Sequence, residues 1–196
     1  MDTKAGLAKQ NAVYPIQKCE VISHTVPIGS TLYDRGDLFR GQMPKLVVFG
    51  LVSNAAFTGA YDQNPFNFQH FGVNGVSLTR EGENTTFKPF EPDFTNAHCL
   101  REYMSLFQSM DYYNRDEGCD ITLADFVAGT TLFAFNLAGD LAITGHAQPM
   151  REGSLRLTLK FTDATTALIN IVIWALFDSK IEITRTCNVL LDYKTK

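Results

Sequence analysis

The sequence has no closely spaced cysteine pair, no basic run and no apolar stretch long enough to cross a bilayer as a helix. Each absence excludes something. The four cysteines, Cys19, Cys99, Cys119 and Cys187, show neither CxxC spacing nor a zinc pattern. The expectation is therefore of reduced, mostly buried thiols in an intracellular protein. Lys and Arg number 17 against 21 Asp and Glu, and they are scattered. A nucleic-acid binder usually shows a basic stripe, so no direct nucleic-acid binding is expected. The longest apolar stretch, 168–177, falls well short of the roughly 20 residues of a spanning helix. The first 16 residues contain no apolar core of signal length. The sequon at Asn84-Thr85-Thr86 is then read as a chance triplet.

Catalytic signatures are missing too. There is no HExxH, no GxSxG, no Gly-rich phosphate loop and no dinucleotide fingerprint. The histidines, His24, His70, His98 and His146, are not paired at metal-ligand spacing. A cupin-type metal site would show two histidines one residue apart with a glutamate nearby. His98 and Cys99 are neighbours, but adjacent helical residues point about 100° apart and make no dyad. The acidic stretch 111–120 offers Asp111, Asn114, Asp116, Glu117 and Asp120 as oxygen ligands. Its spacing is not that of an EF-hand loop, and it reads as a solvated loop after a helix. No catalytic, cofactor-binding or metal residue is expected.

What is present is a globular composition with 45% hydrophobic residues and 15 phenylalanines, its apolar residues in short bursts. Residues 1–13 are small and polar and read as a flexible arm; 194–196 read as a tail. Between them, 14–193 has the length of one domain. Residues 14–26 favour a strand through Ile16, Val21, Ile22, Thr25 and Val26. The run 46–52 is apolar throughout and fits a strand covered on both faces. A helical turn is expected near 55–57, and a hairpin from 73–79 and 85–90 joined around Glu81-Gly82-Glu83.

Residues 97–110 form the one good helical pattern. Leu100, Tyr103, Met104 and Phe107 recur at i, i+3, i+4 and i+7. That stripe is expected to pack on a sheet, with Asn96 as cap. A ligand box or partner face is the alternative. Thr122 and Asp125 have capping-box spacing.

Further strands are expected at 131–136, 153–161, 168–177, 181–186 and 189–193. In 153–161, Leu155, Leu157, Leu159 and Phe161 alternate with polar residues. Asp178-Ser179-Lys180 is expected to turn the chain. About eight strands, one or two short helices and no βαβ alternation argue for an all-β antiparallel sandwich. Long insertions between strands favour an eight-stranded jelly roll.

Several stretches in order carry a resemblance: NPFNFQHFGVNGVSL (64–78), FEPDF (90–94), REYMSLFQSM (101–110), DEGCDIT (116–122) and TLFAFNLAGDL (131–141). GSLRLTLKF (153–161), VIWALFDSKIEI (172–183) and VLLDY (189–193) follow, with YPIQKCEV (14–21) and LFRGQMPKLVVFGLV (38–52) upstream. Together they resemble the C-terminal jelly roll of the hexon-like, double jelly-roll major capsid proteins of Polinton/Maverick elements and adintovirus-type viruses. Related animal-genome reading frames look the same.

The resemblance implies a structural protein, not an enzyme. It would self-associate as a homotrimer, contact neighbouring capsid subunits and carry no cofactor. Its location would be the virion, or intracellular and non-secreted for a host-encoded derivative. The length has room for one of the two rolls, and three single rolls cannot supply a six-roll capsomer. A cut-out domain, a truncated or domesticated gene and a single-roll relative all fit that length. Phe66, Phe68, Tyr103 and Phe107 are the candidate loop or subunit-contact residues, with packing inside the domain as the alternative. A jelly-roll module binding a glycan or protein receptor is the second functional reading. A cupin-like enzyme is the third.

Overall fold

A computed structural model describes residues 11–86, 88–113, 116, 118–139, 149, 151–184, 186 and 188–191. Strand β1 (Ala12–Val26) is followed by β2 (Leu32–Arg35), β3 (Arg40–Gln42), β4 (Leu46–Ser53) and helix α1 (Asn54–Phe57). Next come β5 (Val73–Arg80), β6 (Glu83–Asn84), α2 (Leu100–Ser109), α3 (Leu123–Ala128) and β7 (Leu132–Asn136). The chain continues through β8 (Glu152–Phe161), β9 (Ile169–Ile183) and β10 (Val189–Leu191).

Two antiparallel sheets result. One runs β1-β9-β4-β7 with β10 added to β9, and the other runs β2-β8-β5-β6 with β3 added to β8. Set the short β3 and β10 aside, and eight strands remain. The first then pairs the last (β1–β9), the second the seventh (β2–β8), the third the sixth (β4–β7) and the fourth the fifth (β5–β6). This nesting of pairs, one long hairpin rolled into two sheets, is the jelly roll expected from the sequence.

The core follows from period-2 alternation. On β8, Leu155, Leu157 and Leu159 have no exposed surface; Ile171, Ile173 and Ala175 on β9 match them. Val47, Phe49 and Leu51 on β4 and Phe133 and Phe135 on β7 point into the same layer. On β5 the register shifts between Val73 and Gly75. That bulge moves the buried positions from Val73 to Val76 and Leu78, changing parity so that both ends face the core.

The opposite face of β4 is covered as well, as its apolar run demands. Helices α2 and α3 lay Cys99, Leu106 and Phe126 against Ala134, with Val48 and Leu132 alongside. At Gly50 a side chain would collide: a Cβ would sit 2.6 Å from Phe68 Cδ1. Phe68 rests on that bare backbone. The capping box at α3 forms as expected, with the Thr122 hydroxyl accepting from the Asp125 amide and the Asp125 carboxylate accepting from the Thr122 amide.

Four expectations are corrected. The turn at 178–180 does not exist, because β9 runs straight through it to Ile183. Asp178 is buried there against Lys45, and β1 pairs with β9 along its whole length, which keeps the backbone extended. Helix α2 starts at Leu100 with Cys99 as its cap residue. Asn96 instead donates to the Asp93 carboxylate in the preceding turn. The helix is also rotated from the expected stripe: Glu102, Leu106 and Ser109 are buried, while Leu100 and Met104 are exposed. Finally, of the cysteines described, only Cys99 is buried; Cys19 is exposed and Cys119 half-buried. Cys187, and the arm and tail apart from 11–13, lie outside the described residues.

Candidate functional site

One end of the sandwich gathers the β1–β2 loop, the long β4–β5 connection and the β8–β9 loop. Buried polar side chains tie them together where strand pairing stops. The Gly29 amide donates to the Thr165 carbonyl at 2.7 Å, and the Thr165 hydroxyl donates to the Pro27 carbonyl at 2.8 Å. Asn170 donates to Asn54 Oδ1 at 2.9 Å and accepts from the Thr25 hydroxyl at 2.8 Å. Ser53 donates to Gln63 Oε1 at 2.8 Å. These bonds fix the loops, and the loops expose Ile28, Phe57, Tyr61, Phe66 and Leu168. Large apolar side chains held in water on tied loops are candidates for contact with another surface. The β4–β5 connection also lines a cleft of about 320 Å³, with Asp62, Gln63, Asn64, Asn67 and Gln69.

The structure does not bring the four predicted contact residues together. Phe66 stands at the loop tip, 75% exposed. Phe68 turns inward onto Gly50, and its carbonyl accepts from the Thr131 amide at 2.9 Å. Tyr103 donates to the Ile121 carbonyl at 2.8 Å and meets Phe107 and Phe126 edge-on. Phe107 is half-buried beside it. Sequence reasoning missed Ile28, Phe57, Tyr61 and Leu168. The available signal was an apolar residue inside a turn-rich stretch, as in Pro27-Ile28-Gly29.

A second cleft, of about 470 Å³, separates α2 from the edge strand β7. Ser105 and Ser109 donate to the Ala134 carbonyl at 3.2 and 3.1 Å, so α2 caps part of the edge. Arg101 donates to the Pro89 and Lys88 carbonyls and lies 5.1 Å above the Phe90 ring. The rest of the lining is hydroxyl, amide and apolar, including Thr85, Met104 and Gln108. The arrangement suits binding and contains no nucleophile–base pair. Nearby, burial pushes the Glu102 carboxyl up from its ordinary range.

Among the described residues, no three His, Cys, Asp or Glu side chains come together as a metal site. Of the acidic stretch, Asn114 and Glu117 lie outside the described residues. No helix among those residues is long and apolar enough to cross a membrane.

His70 is a half-buried titratable group at the loop end. It stacks on Phe94 with ring centroids 4.4 Å apart, and its Nδ1 accepts the Gly72 amide at 3.0 Å. Burial holds its pKa below the usual histidine value. The folded state thus favours the neutral ring, while the unfolded chain takes up a proton near the ordinary value of about 6.5. Between the two values the unfolded state binds more protons, so stability falls as pH drops below about 6.5. His70→Asn keeps an acceptor and removes the titration. It is expected to lose less melting temperature than the parent between about pH 7.5 and 5. Equal losses would remove His70 from the acid sensitivity of this fold.

No protein-family model matches the chain. An uncharacterised protein of Caenorhabditis elegans, F54H12.2, is 26% identical over 182 residues, which cover 91% of this chain and 43% of the worm protein. Among solved structures, PBCV-1 VP54, as fitted into a cryo-EM reconstruction of the virophage Sputnik, superposes with a TM-score of 0.55. Its identity is 11%, and the match covers 94% of this chain and 52% of that one. A chain of the Sputnik virophage cryo-EM structure gives 0.55 at 12% identity, covering 94% of this chain and 40% of that one. This chain thus spans about half the length of the proteins it matches. At such identities the likeness establishes the fold, a capsid-like jelly roll.

Proposed function

We propose that this chain is a structural, self-associating jelly-roll module of the capsid type. It would resemble the hexon-like major capsid proteins of Polinton/Maverick elements and adintovirus-type viruses, or be a host-encoded derivative of one. The observation that carries the reading is the eight-strand nested pairing, with both sheets closed on one core and rigid apolar loops presented at one end. Such a body works by contact rather than turnover. In a two-roll protein it would supply one roll, and its partners would be copies of itself, as a trimer, and neighbouring subunits. It would then reside in a shell, or inside the cell for a host derivative.

Light scattering on the purified chain tests the reading. The parent is expected to exceed the mass of one chain. Tyr61→Ser with Phe66→Ser is expected to lower that mass while leaving the melting temperature unchanged. Unchanged mass in the double variant would contradict the loop-end contact. The amide-lined cleft in the β4–β5 connection favours a second reading, a module binding a glycan or protein receptor. Specific glycan-array binding lost in the same variant would favour that reading over assembly.

A further inference from the structure

The cleft of about 320 Å³ in the β4–β5 connection sits at the lower end of the range for small-ligand pockets, about 300–1,000 Å³. It has room for one small ligand, or for the end of a longer one. Its walls are held in place before any ligand arrives, which lowers the ordering cost of binding. The Gln69 amide donates to the Leu51 carbonyl at 3.0 Å, and the Asn67 amide donates to the Asn64 carbonyl at 3.2 Å. Asn67 lies over Gly129, where a Cβ would come 2.6 Å from Asn67 Oδ1. Phe71 packs against the core and also lines the cleft. Its φ is 46°, a left-handed conformation that a bulky side chain seldom adopts. Strain of this kind gathers at ligand sites.

The hydrogen-bonding groups of the lining are already sorted into donors and acceptors. Gln63 Oε1 accepts from the Ser53 hydroxyl at 2.8 Å, and Asn64 Oδ1 accepts from the Phe66 amide at 2.9 Å. With both oxygens engaged, each side chain has its NH₂ group left to donate. Asp62 supplies a carboxylate, which accepts. A ligand hydroxyl does both: it accepts from an amide while donating to a carboxylate. Phe71 and Ala56 supply an apolar wall for the carbon skeleton that carries such hydroxyls. No Lys or Arg lines the cleft, so nothing there neutralises an anion, and Asp62 repels one. A calcium ion takes about six to eight oxygens, and two of the amide oxygens are committed elsewhere. We infer that this cleft binds one neutral sugar residue directly, without a metal, its hydroxyls donating to Asp62 and accepting from the Gln63 and Asn64 amides. The inference rests on the glycan form of the second reading above and names its site and its class of sugar. It is independent of shell assembly.

Saturation-transfer NMR on the purified chain tests it. The probes are the methyl glycosides of glucose, galactose, mannose and N-acetylglucosamine, with N-acetylneuraminic acid as the anionic control. At least one neutral sugar is expected to bind and the anion is not, and EDTA should leave the signal unchanged. Asp62→Ala removes a hydrogen bond to a charged group and is expected to raise the dissociation constant about tenfold or more. Asp62 is exposed, so the melting temperature of that variant should match the parent's. A folded parent that binds none of the neutral sugars would overturn the inference. So would binding that needs calcium, that prefers the anion or that survives Asp62→Ala undiminished. A glycan array separates the site from the reading it rests on. Array binding that persists in Asp62→Ala would overturn this site and keep the glycan reading. A parent that binds no glycan on the array and no sugar in solution would remove both.

Discussion

Phe49→Ala is expected to lower the unfolding free energy by about 3–5 kcal/mol. Phe49 is 1% exposed and sits on β4, which pairs with β7 on one side and β9 on the other. Its ring lies 5.3 Å from that of Phe133 and 6.1 Å from that of Phe135, both stacked. Truncation removes the apolar surface and both ring contacts. It also leaves a cavity between two hydrogen-bonded sheets that cannot close around it. Urea unfolding should show a lower midpoint with an unchanged slope, since the surface exposed on unfolding barely changes. Phe66→Ala, at the exposed loop tip, should change stability little by comparison. A loss below about 1 kcal/mol at Phe49 would mean that the two sheets are not packed on this ring.

Lys45→Met is expected to cost about 3–5 kcal/mol for a different reason. Lys45 Nζ lies 2.7 Å from Asp178 Oδ1, and both side chains are 10% exposed or less. Methionine keeps the volume and removes the ammonium, so the buried Asp178 carboxylate loses the ion pair with Lys45. The pair also clamps three strands. The Lys45 amide donates to the Leu176 carbonyl on β9, the Leu137 amide beyond β7 donates to the Lys45 carbonyl, and Gln42 on β3 donates to the Asp178 carbonyl. Combining Lys45→Met with Asp178→Leu removes both charges and should recover most of the loss. Chemical denaturation of the two singles and the double measures the coupling. A double variant as unstable as Lys45→Met would show that the loss does not come from breaking the charge pair.

Much of the fold is legible in the sequence because alternation is a local signal. The leucines of β8 and the continuous run of β4 announce one-sided and two-sided burial directly. The corrections arise where a distant residue decides. Asp178-Ser179-Lys180 has turn chemistry, yet Lys45, far earlier in the chain, supplies the charge that lets Asp178 stay inside a strand. The apolar stripe of α2 is real, but β7 presents the Ala134 carbonyl. Ser105 and Ser109 turn toward that carbonyl, and Leu100 and Met104 are carried outward. The bulge at Val73–Gly75 is invisible to simple period counting, because it splits one buried face into two parities.

The candidate surface was less legible than the fold. Phenylalanine density flagged Phe66 and Phe68 together, although they point in opposite directions across a turn. Phe68 fills the space over Gly50, and only Phe66 is left in water. Ile28, Phe57, Tyr61 and Leu168 join Phe66 only once three loops are folded to the same end. That grouping depends on Thr165 and Asn170, buried polar residues whose partners lie more than 100 positions away.

The proposed role is association of this jelly roll into a shell-like assembly. Negative-stain electron microscopy of the concentrated, purified chain tests that most directly. Particles of defined size built from repeated subunits, more than two chains each, are the result expected. Single-chain particles at every concentration, in a sample whose circular dichroism is that of the folded sandwich, would contradict the account.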